Sequence, residues 1–260
     1  MRMEVNEAYT HLRDYIATLP SRFEHDGETI FEGRNVIKKF QVGGDTIVVK
    51  RFRKPHLIQK IIYTFFRHGK ARRAYANGGR LLHLGFSTPT NIAYIETRRH
   101  GLLEYGYYIS GVDDAPPICI KLNDQEQFDT TMAADLAGMM AALHKKGVLH
   151  HDLNSTNVLY HALPDGHYTF SFIDINRMKF CDGYPPLDEC MENMTRFTGR
   201  MDLFEFVARA YVSVRQLPPD MVETLLAVKR RHDERWVKRK RRARRLKSVF
   251  SWRSTQRGQV

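Results

Sequence analysis

The first half of the chain alternates apolar and polar residues with the period of a β-strand, and this pattern gives way twice to the period of a helix. Residues Val42, Gly43, Gly44 and Asp45 separate two strand-like runs and are typical of a hairpin turn. After Pro55, apolar residues recur at helical spacing. The predicted elements of this half are three strands within 29–52, helices over 57–66 and 71–84, and strands over 92–96 and 103–110.

The second half has mainly helical patterns. In residues 129–147 the apolar positions form one stripe, which is typical of a helix packed in a core, and Gly147 ends it. Two strands follow, joined by the turn Pro-Asp-Gly-His at 164–167. The remaining residues to about 228 are predicted to be helical. Strands first and helices second, with a Gly/Asp/Pro-rich break at 111–117 between them, indicate an α+β protein of two lobes.

One polar stretch, LHHDLNSTNVLY at residues 149–160, lies between the predicted helix and the hairpin. Polar clusters of this kind are usually solvated loops. Here, however, the hairpin returns the chain beside itself, so that Asn157 just before it and Asp174 just after it become neighbours. We therefore expect Asp152, Asn157 and Asp174 to converge at one end of a small antiparallel ribbon, where they need water, hydrogen bonds or a cation.

These three side chains suit phosphate-transfer chemistry. Asparagine and aspartate oxygens are suitable ligands for Mg²⁺, which uses one or two carboxylates together with phosphates and water. If Asn157 and Asp174 hold the cation, Asp152 is left to orient or deprotonate a hydroxyl. The spacing resembles the catalytic loop of protein-kinase-like enzymes, H-x-D-L-x-x-x-x-N followed by a strand that ends in a metal-binding aspartate. Lys50, on the third strand, stands where that fold places the lysine that holds the α- and β-phosphates.

Longer segments of the sequence make the resemblance more specific. They are HHDLNSTNVLY at 150–160, SFIDINRMKF at 171–180, GRN at 33–35, VVKRFRKP at 48–55 and YYIS at 107–110. Together they resemble the lipopolysaccharide kinase family of Gram-negative bacteria, the Kdo and heptose kinases, and in particular a branch common in Bacteroidetes. The resemblance covers about residues 28–210. It implies a bilobal protein-kinase-like fold with a small antiparallel-sheet N-lobe and a mainly helical C-lobe.

The resemblance also implies cofactors, an acceptor and roles for single residues. The cofactors are ATP and Mg²⁺, and the acceptor is a sugar hydroxyl of the lipid-A-linked core saccharide. Asp152 would be the catalytic base, Asn154 would help to position the reacting groups, and Lys50 would clamp the nucleotide phosphates. Asn157 and Asp174 would be the metal ligands. Further nucleotide contacts are implied for Gly33, Arg34, Asn35 and Ile109.

Two features depart from the protein-kinase pattern. The glycine-rich phosphate loop is reduced to GRN, so Arg34 is expected to supplement it. No acidic residue occurs between residues 46 and 95, so Lys50 lacks the helix glutamate with which protein kinases pair it. The alternatives are therefore a pseudokinase or nucleotide-binding scaffold, and a kinase of the same fold that acts on a small molecule or a protein. His150 is interpreted as a residue that braces the loop.

The net charge of +12 is concentrated near the end of the chain. Residues 229–257 contain fourteen Lys and Arg against Asp233 and Glu234, whereas the first 228 residues carry 27 of each sign. The interleaved apolar residues are Trp236, Val237, Leu246, Val249, Phe250 and Trp252. Charge runs are usually solvated faces or disordered tails, but those with interleaved aromatic residues can also bind anionic lipid surfaces or nucleic acid. Because the resemblance implies a glycolipid acceptor, the sequence favours an anionic membrane surface, and no nucleic acid is expected.

These patterns divide the chain into four predicted segments. They are an N-terminal extension (1–27), a kinase N-lobe (28–110), a kinase C-lobe (111–228) and a basic C-terminal tail (229–260). No apolar run is long enough to cross a membrane, and the first residues lack the apolar core of a signal peptide. The expected location is therefore cytoplasmic, peripheral on the cytoplasmic face of the inner membrane.

Overall fold

The computed structural model describes the backbone of residues 1–256 and the side chains of residues 1–242. Within these residues the chain forms two compact units. The first unit comprises Met1–Ile118, His150–Asp152 and Thr156–Phe180. The second comprises Cys119–Leu149, Leu153–Ser155 and the residues from Cys181 onward. The sheet-rich first unit and the mainly helical second unit confirm the predicted α+β class.

The first unit is built on an antiparallel sheet, which in the described part of the chain has six strands in the order β1-β5-β6-β4-β3-β2. The strands are β1 (Arg2–Val5), β2 (Glu28–Glu32), β3 (Val36–Val42), β4 (Asp45–Arg51), β5 (Asn91–Arg99) and β6 (Leu102–Gly111). Gly43 and Gly44 both adopt positive φ at the β3–β4 turn, which confirms the predicted hairpin. The five strands predicted from the sequence are therefore all present, and β1 is an addition.

The N-terminal segment is an integral part of this sheet rather than an appendage. Strand β1 pairs with β5, and helix α1 (Arg13–Arg22) contributes Ile16 and Leu19 to the core at the sheet. Ile47 and Val49 of β4 lie in the same core, fully buried. Since successive residues of a strand point to opposite faces, the intervening residues of β4 face away from this core.

Two helical segments follow β4. Helix α2 (Leu57–Ile61) continues directly into a π-helical turn (Ile62–Phe66), which matches the predicted helix over 57–66. Helix α3 (Lys70–His83) matches the second prediction, and Gly85 beyond it has φ +85°. The buried face of α3 consists of small residues and one leucine, Ala71, Ala74, Gly78 and Leu81. A Cβ at Gly78 would lie 3.0 Å from Asn91 Oδ1, so α3 packs closely against this side chain there.

The predicted hairpin near the polar stretch is also present. Strands β8 (Val158–Ala162) and β9 (Tyr168–Phe172) pair antiparallel over five residues. A 3₁₀ turn (Ile175–Arg177) and the two-residue strand β10 (Lys179–Phe180) follow. The sequence prediction of continuous helix is wrong for this segment, because the first helix after the hairpin begins only at Leu187. Proline and glycine at 183–186 disfavour helix before that point.

The second unit is mainly helical. Its elements are α4 (Cys119–Leu122), α5 (Thr130–Lys145), the two-residue strand β7 (Val148–Leu149), α6 (Leu187–Met194), α7 (Met201–Val214) and α8 (Met221–Gln256). The predicted apolar stripe of α5 is buried at Leu136, Met140 and Leu143. Asp129 caps this helix by accepting a hydrogen bond from Met132 N at 2.9 Å. Gly147 has φ +76°, and a side chain there would collide with Cys181 O.

Helix α8 crosses the predicted boundary between C-lobe and tail without a break. Lys229 is almost fully buried and its Nζ lies 2.7 Å from Asp233 Oδ1, while Arg235 pairs with Glu192 of α6 at 2.5 Å. The first residues of the basic segment therefore pack within the second unit. The tail residues Leu246, Val249, Phe250 and Trp252 have side chains outside the described residues.

His144 shows how the second unit accommodates a buried polar side chain. Its Nδ1 lies 2.7 Å from Tyr211 Oη and its Nε2 lies 3.1 Å from Asn193 Oδ1. The amide oxygen only accepts, so the neutral ring donates from Nε2. Burial lowers the pKa of the imidazole from 6.5 to about 4, and the ring is therefore neutral at physiological pH.

Lowering the pH from 6.5 to 5 is expected to reduce the free energy of unfolding by about 2 kcal/mol through His144. The unfolded chain takes up a proton near pH 6.5, whereas the folded ring stays neutral until about pH 4, so stability falls as the pH falls through this window and is unaffected above it. Urea unfolding at both pH values measures the effect. The variant His144→Gln should lose less stability than the wild type, and equal losses would contradict the assignment.

Candidate active site

Lys50 lies on the central strand β4, where the residues opposite it are Ile37 of β3 and Tyr108 of β6. It belongs to the face of β4 that is turned away from the core containing Ile47 and Val49. Its Nζ lies 2.9 Å from Asp174 Oδ1, and both side chains are largely shielded, with 17% and 27% of their surface exposed. The strand register thus presents an ammonium group directly to the predicted metal-binding aspartate.

Asp174 follows strand β9 and has an unusual backbone conformation. Its φ of 55° and ψ of 39° lie in the left-handed region, where aspartate and asparagine are tolerated better than most residues. Asn176 Nδ2 donates a hydrogen bond to the same carboxylate at 2.5 Å. Burial alone raises the pKa of Asp174, but the charge and hydrogen bond of Lys50, together with further positive charge nearby at Arg177, make the net shift downward. Asp174 is therefore a carboxylate at neutral pH.

The polar loop meets Asp174 as the hairpin geometry predicts. Ile173 N donates to Asn157 O at 3.0 Å, which places Asn157 beside the residue that precedes Asp174. The Asn157 side chain in turn donates from Nδ2 to Asp152 O at 2.9 Å, which leaves its amide oxygen for another partner. Asp152, Asn157 and Asp174 are thus brought to one end of the hairpin.

His150 links the same loop to strand β9. The ring is fully buried, its Nε2 lies 3.2 Å from Ile173 O, and its Nδ1 accepts a hydrogen bond from Asp152 N at 3.2 Å. Because a carbonyl oxygen only accepts, Nε2 carries the proton and Nδ1 is unprotonated. Burial lowers the pKa of His150, which keeps the ring in this neutral form. These contacts are those of a brace between the loop and the residue before Asp174.

Arg177 is a residue of this site that the sequence reasoning did not single out. It lies at the end of the 3₁₀ turn after Asp174, and its Nη1 lies 3.5 Å from Asp152 Oδ2. The guanidinium therefore orients one oxygen of the candidate base. The signal was present in the sequence, because Arg177 belongs to the string SFIDINRMKF.

The structure explains how Lys50 is held without a helix glutamate. Helix α3 presents Ala74 to the site cavity instead of an acid. It contacts the turn after Asp174 through Asn77 Nδ2, which donates to Ile175 O at 2.8 Å. The first acid after residue 45 is Glu96, and it is buried close to Gly69 and near the guanidinium groups of Arg2, Arg72 and Arg98. The partner of Lys50 is Asp174 itself.

Lys50, Asn157 and Asp174 line a cavity of about 650 Å³, a volume suited to a small ligand. Arg34 and Asn35, from the turn between β2 and β3, line this cavity together with Ile30 and Phe31. Gly33 lies in the same turn and donates from its backbone N to Asn35 O at 3.1 Å. The turn predicted to be a shortened phosphate loop therefore contributes two polar side chains to the cavity, and strand β2 contributes two apolar ones.

Four of the predicted site residues, Gly33, Ile109, Asp152 and Asn154, are not among those that line this cavity. Ile109 is fully buried in the core with Ile47 and Val49, because strand alternation turns its side chain away from the cavity. Its neighbours Tyr108 and Ser110 line the cavity instead. Asn154 is half-buried and belongs to the second unit. Sequence reasoning also missed Asp113 and Asp114, which line the cavity although their segment was interpreted only as a break.

The donor set is compatible with a kinase metal site. Among the described residues, no three His, Cys, Asp or Glu side chains gather into a metal-binding group. A nucleotide-dependent Mg²⁺ site needs fewer protein ligands, because phosphates and water complete the octahedron. Asn157 and Asp174, an amide oxygen and a carboxylate lining one cavity, fit that requirement.

The comparisons with known proteins agree with this geometry. A model of the lipopolysaccharide kinase (Kdo/WaaP) family matches residues 33–180. No curated protein sequence matches the chain. Among solved structures, WaaP in complex with acyl carrier protein resembles the chain with a TM-score of 0.63 and 17% sequence identity, over 90% of this chain and 99% of that chain. That likeness confirms the predicted bilobal kinase-like fold.

The matched range contains Lys50, the loop with Asp152 and Asn157, and Asp174. It spans more than half of the 260 residues. The chain therefore belongs to the lipopolysaccharide kinase (Kdo/WaaP) family, and it is a kinase.

Proposed function

We propose that the protein uses ATP and Mg²⁺ to phosphorylate a hydroxyl of Kdo or heptose in the lipopolysaccharide inner core. The observation that carries this proposal is the contact of Lys50 with Asp174 at 2.9 Å in the cavity that Asn157 also lines. One cavity thus contains an ammonium group that can hold phosphates, and a carboxylate and an amide oxygen that can bind a cation. A nucleoside triphosphate and its cation require these groups. Positioning and charge neutralisation supply most of the rate in such sites.

The roles of the side chains follow from their chemistry. Asp152 orients the acceptor hydroxyl and receives its proton as the sugar oxygen bonds to the γ-phosphorus. The bond from that phosphorus to the bridging oxygen breaks, and ADP leaves with this oxygen. Arg177 keeps the Asp152 carboxylate in place, and Lys50 holds the nucleotide phosphates. Asn157 and Asp174 would hold Mg²⁺, which when bound supplies positive charge beside the transferring phosphate.

Phosphate transfer to different acceptors tests the substrate class. Radiolabelled ATP offered with lipid-A-linked core saccharide, free Kdo and casein should label the core saccharide most strongly. Labelling of casein alone would contradict the glycolipid assignment and favour a protein kinase. Binding of ATP without transfer to any of the three acceptors would favour a nucleotide-binding scaffold.

We further propose that the protein works at the cytoplasmic face of the inner membrane. No helix in the part of the chain that the structure describes is long and apolar enough to span a bilayer. The described part of the basic segment instead exposes eight cationic side chains on α8, namely Arg230, Arg231, Arg235, Lys238, Arg239, Lys240, Arg241 and Arg242. Each Lys or Arg near an anionic lipid surface contributes about 1 kcal/mol of attraction.

A second candidate partner is acyl carrier protein, because the neighbouring WaaP structure was solved in complex with it. Mixing the two purified proteins and measuring their co-elution tests this interaction. Either outcome of this measurement is compatible with the kinase assignment.

A further inference from the structure

The helical segment Leu57–Phe66 is amphipathic, but its apolar side faces outward. Six large apolar side chains have between 40% and 80% of their surface exposed, namely Leu57, Ile58, Ile61, Ile62, Phe65 and Phe66. Their spacing of one, three and four residues places them on one side of a helix. Helices at the surface of a globular protein normally show the opposite arrangement, with the apolar stripe against the core.

The polar side of this segment is the one that contacts the sheet. Thr64 Oγ1 accepts a hydrogen bond from Leu103 N of β6 at 3.0 Å and donates one to Lys60 O at 2.6 Å. The Tyr63 ring lies 6.0 Å from the Arg73 guanidinium. These contacts fix the rotation of the helix about its axis, so the outward direction of the apolar side is built into the first unit.

The last turn of the segment is π-helical. Arg67 N donates to Ile62 O at 2.8 Å, five residues back. Single π turns are rare and are found frequently at functional sites. Here the turn carries Phe65 and Phe66, the two most exposed apolar side chains of the segment.

The surroundings of the apolar side are cationic. The segment lies within the stretch from 46 to 95, which has ten Lys and Arg and no acid. Lys54, Lys60 and Arg99 lie near the carboxylate of Glu104, and Lys54 pairs with it at 2.6 Å. One carboxylate therefore faces three cations, one of which, Lys60, belongs to the segment itself.

We propose that Leu57–Phe66 is a membrane-docking helix, which inserts its apolar side into an anionic lipid bilayer while the surrounding Lys and Arg contact lipid phosphates. A protruding apolar helix edged by cations matches the chemistry of a bilayer interface, with acyl chains below anionic headgroups. Six large exposed apolar side chains on one side of a helix also indicate an interaction surface. The proposal rests on the proposed function only in taking the acceptor to be a membrane glycolipid, and it is distinct from the attraction of the basic tail.

Vesicle binding tests this helix directly. The full-length protein is co-sedimented with vesicles of phosphatidylcholine alone and of phosphatidylcholine mixed with phosphatidylglycerol. The double variant Phe65→Ser, Phe66→Ser should bind the anionic vesicles at least about 10-fold more weakly than the wild type. The matched control is Leu82→Ser, an exposed leucine on α3 of the same unit, which should bind like the wild type. Thermal melting of each variant checks that the fold is intact.

A second measurement separates the helix from the tail. In a protein with Trp236→Phe and Trp252→Phe, the variant Phe66→Trp carries a single indole in the helix. Its emission should shift to shorter wavelength on anionic vesicles and be quenched by lipids brominated in the acyl chain. Unshifted and unquenched emission would overturn the proposal. Binding of acyl carrier protein to the apolar side of the helix, without insertion of the helix into vesicles, would also overturn it. Neither result depends on phosphate transfer, so failure of the proposed kinase function is recognised separately, by the acceptor assay.

Discussion

Replacing Asp152 with asparagine is expected to lower the rate of phosphate transfer by about 10³-fold. Asparagine has nearly the same shape and retains a carbonyl oxygen near Arg177, but it cannot receive the proton of the acceptor hydroxyl. The backbone of the loop is held by the His150 and Asn157 hydrogen bonds, which do not use the Asp152 carboxylate. The variant should therefore fold and bind ATP like the wild type.

Two measurements check this expectation. Transfer of radiolabel to the core saccharide gives the rate, and a thermal shift with ATP reports on nucleotide binding. Asp182→Asn is the matched control, because Asp182 is an exposed aspartate of the second unit and its replacement should leave the rate unchanged. Wild-type transfer by Asp152→Asn would show that the base is another group.

Replacing Asp174 with asparagine is expected to reduce transfer by a similar factor, about 10³-fold, through loss of the metal. Asparagine is the informative substitution because it tolerates the left-handed backbone at this position, whereas alanine would add strain. The change removes the carboxylate that Lys50 contacts and that a divalent cation requires. The Mg²⁺ concentration that gives half-maximal transfer should therefore rise steeply.

A titration with Mg²⁺ distinguishes this effect from general damage. In the wild type, ATP should raise the melting temperature more in the presence of Mg²⁺ than in its absence, and this difference should vanish in Asp174→Asn. Asp152→Asn serves as the reference, since it should keep the metal-dependent difference while losing transfer. A normal Mg²⁺ dependence in Asp174→Asn would show that Asp174 is not a metal ligand.

The convergence of Asp152, Asn157 and Asp174 was predictable from the sequence because it depends on a local hairpin. Five paired residues and one turn link Asn157 to the end of β9, so strand length and turn chemistry determine the outcome. The partner of Lys50 was not predictable in this way. It depends on the position of β4 relative to the end of β9, and these segments are more than a hundred residues apart in sequence.

Other differences between the predicted and the observed structure have the same physical origin. The spacing of apolar residues over 57–66 predicts a helix and identifies its apolar side, but it does not determine whether that side faces the core or the solvent. The side chain of Ile109 points into the core because of strand alternation, which the resemblance of YYIS to the family's sequences does not reveal. Strand β1 was missed because its partner β5 lies about ninety residues further along the chain.

The contact between Lys50 and Asp174 has a consequence for regulation. Protein kinases are switched by moving a helix whose glutamate holds the nucleotide lysine, so that a shift of the helix disassembles the site. Here the residue of α3 that lines the cavity is Ala74 instead of a glutamate, and Lys50 is held by Asp174 of the site itself. Because α3 carries no acid that pairs with Lys50, displacement of the helix would reach this contact only through the hydrogen bond of Asn77 to Ile175 O. The enzyme is therefore expected to lack the helix-glutamate switch of protein kinases.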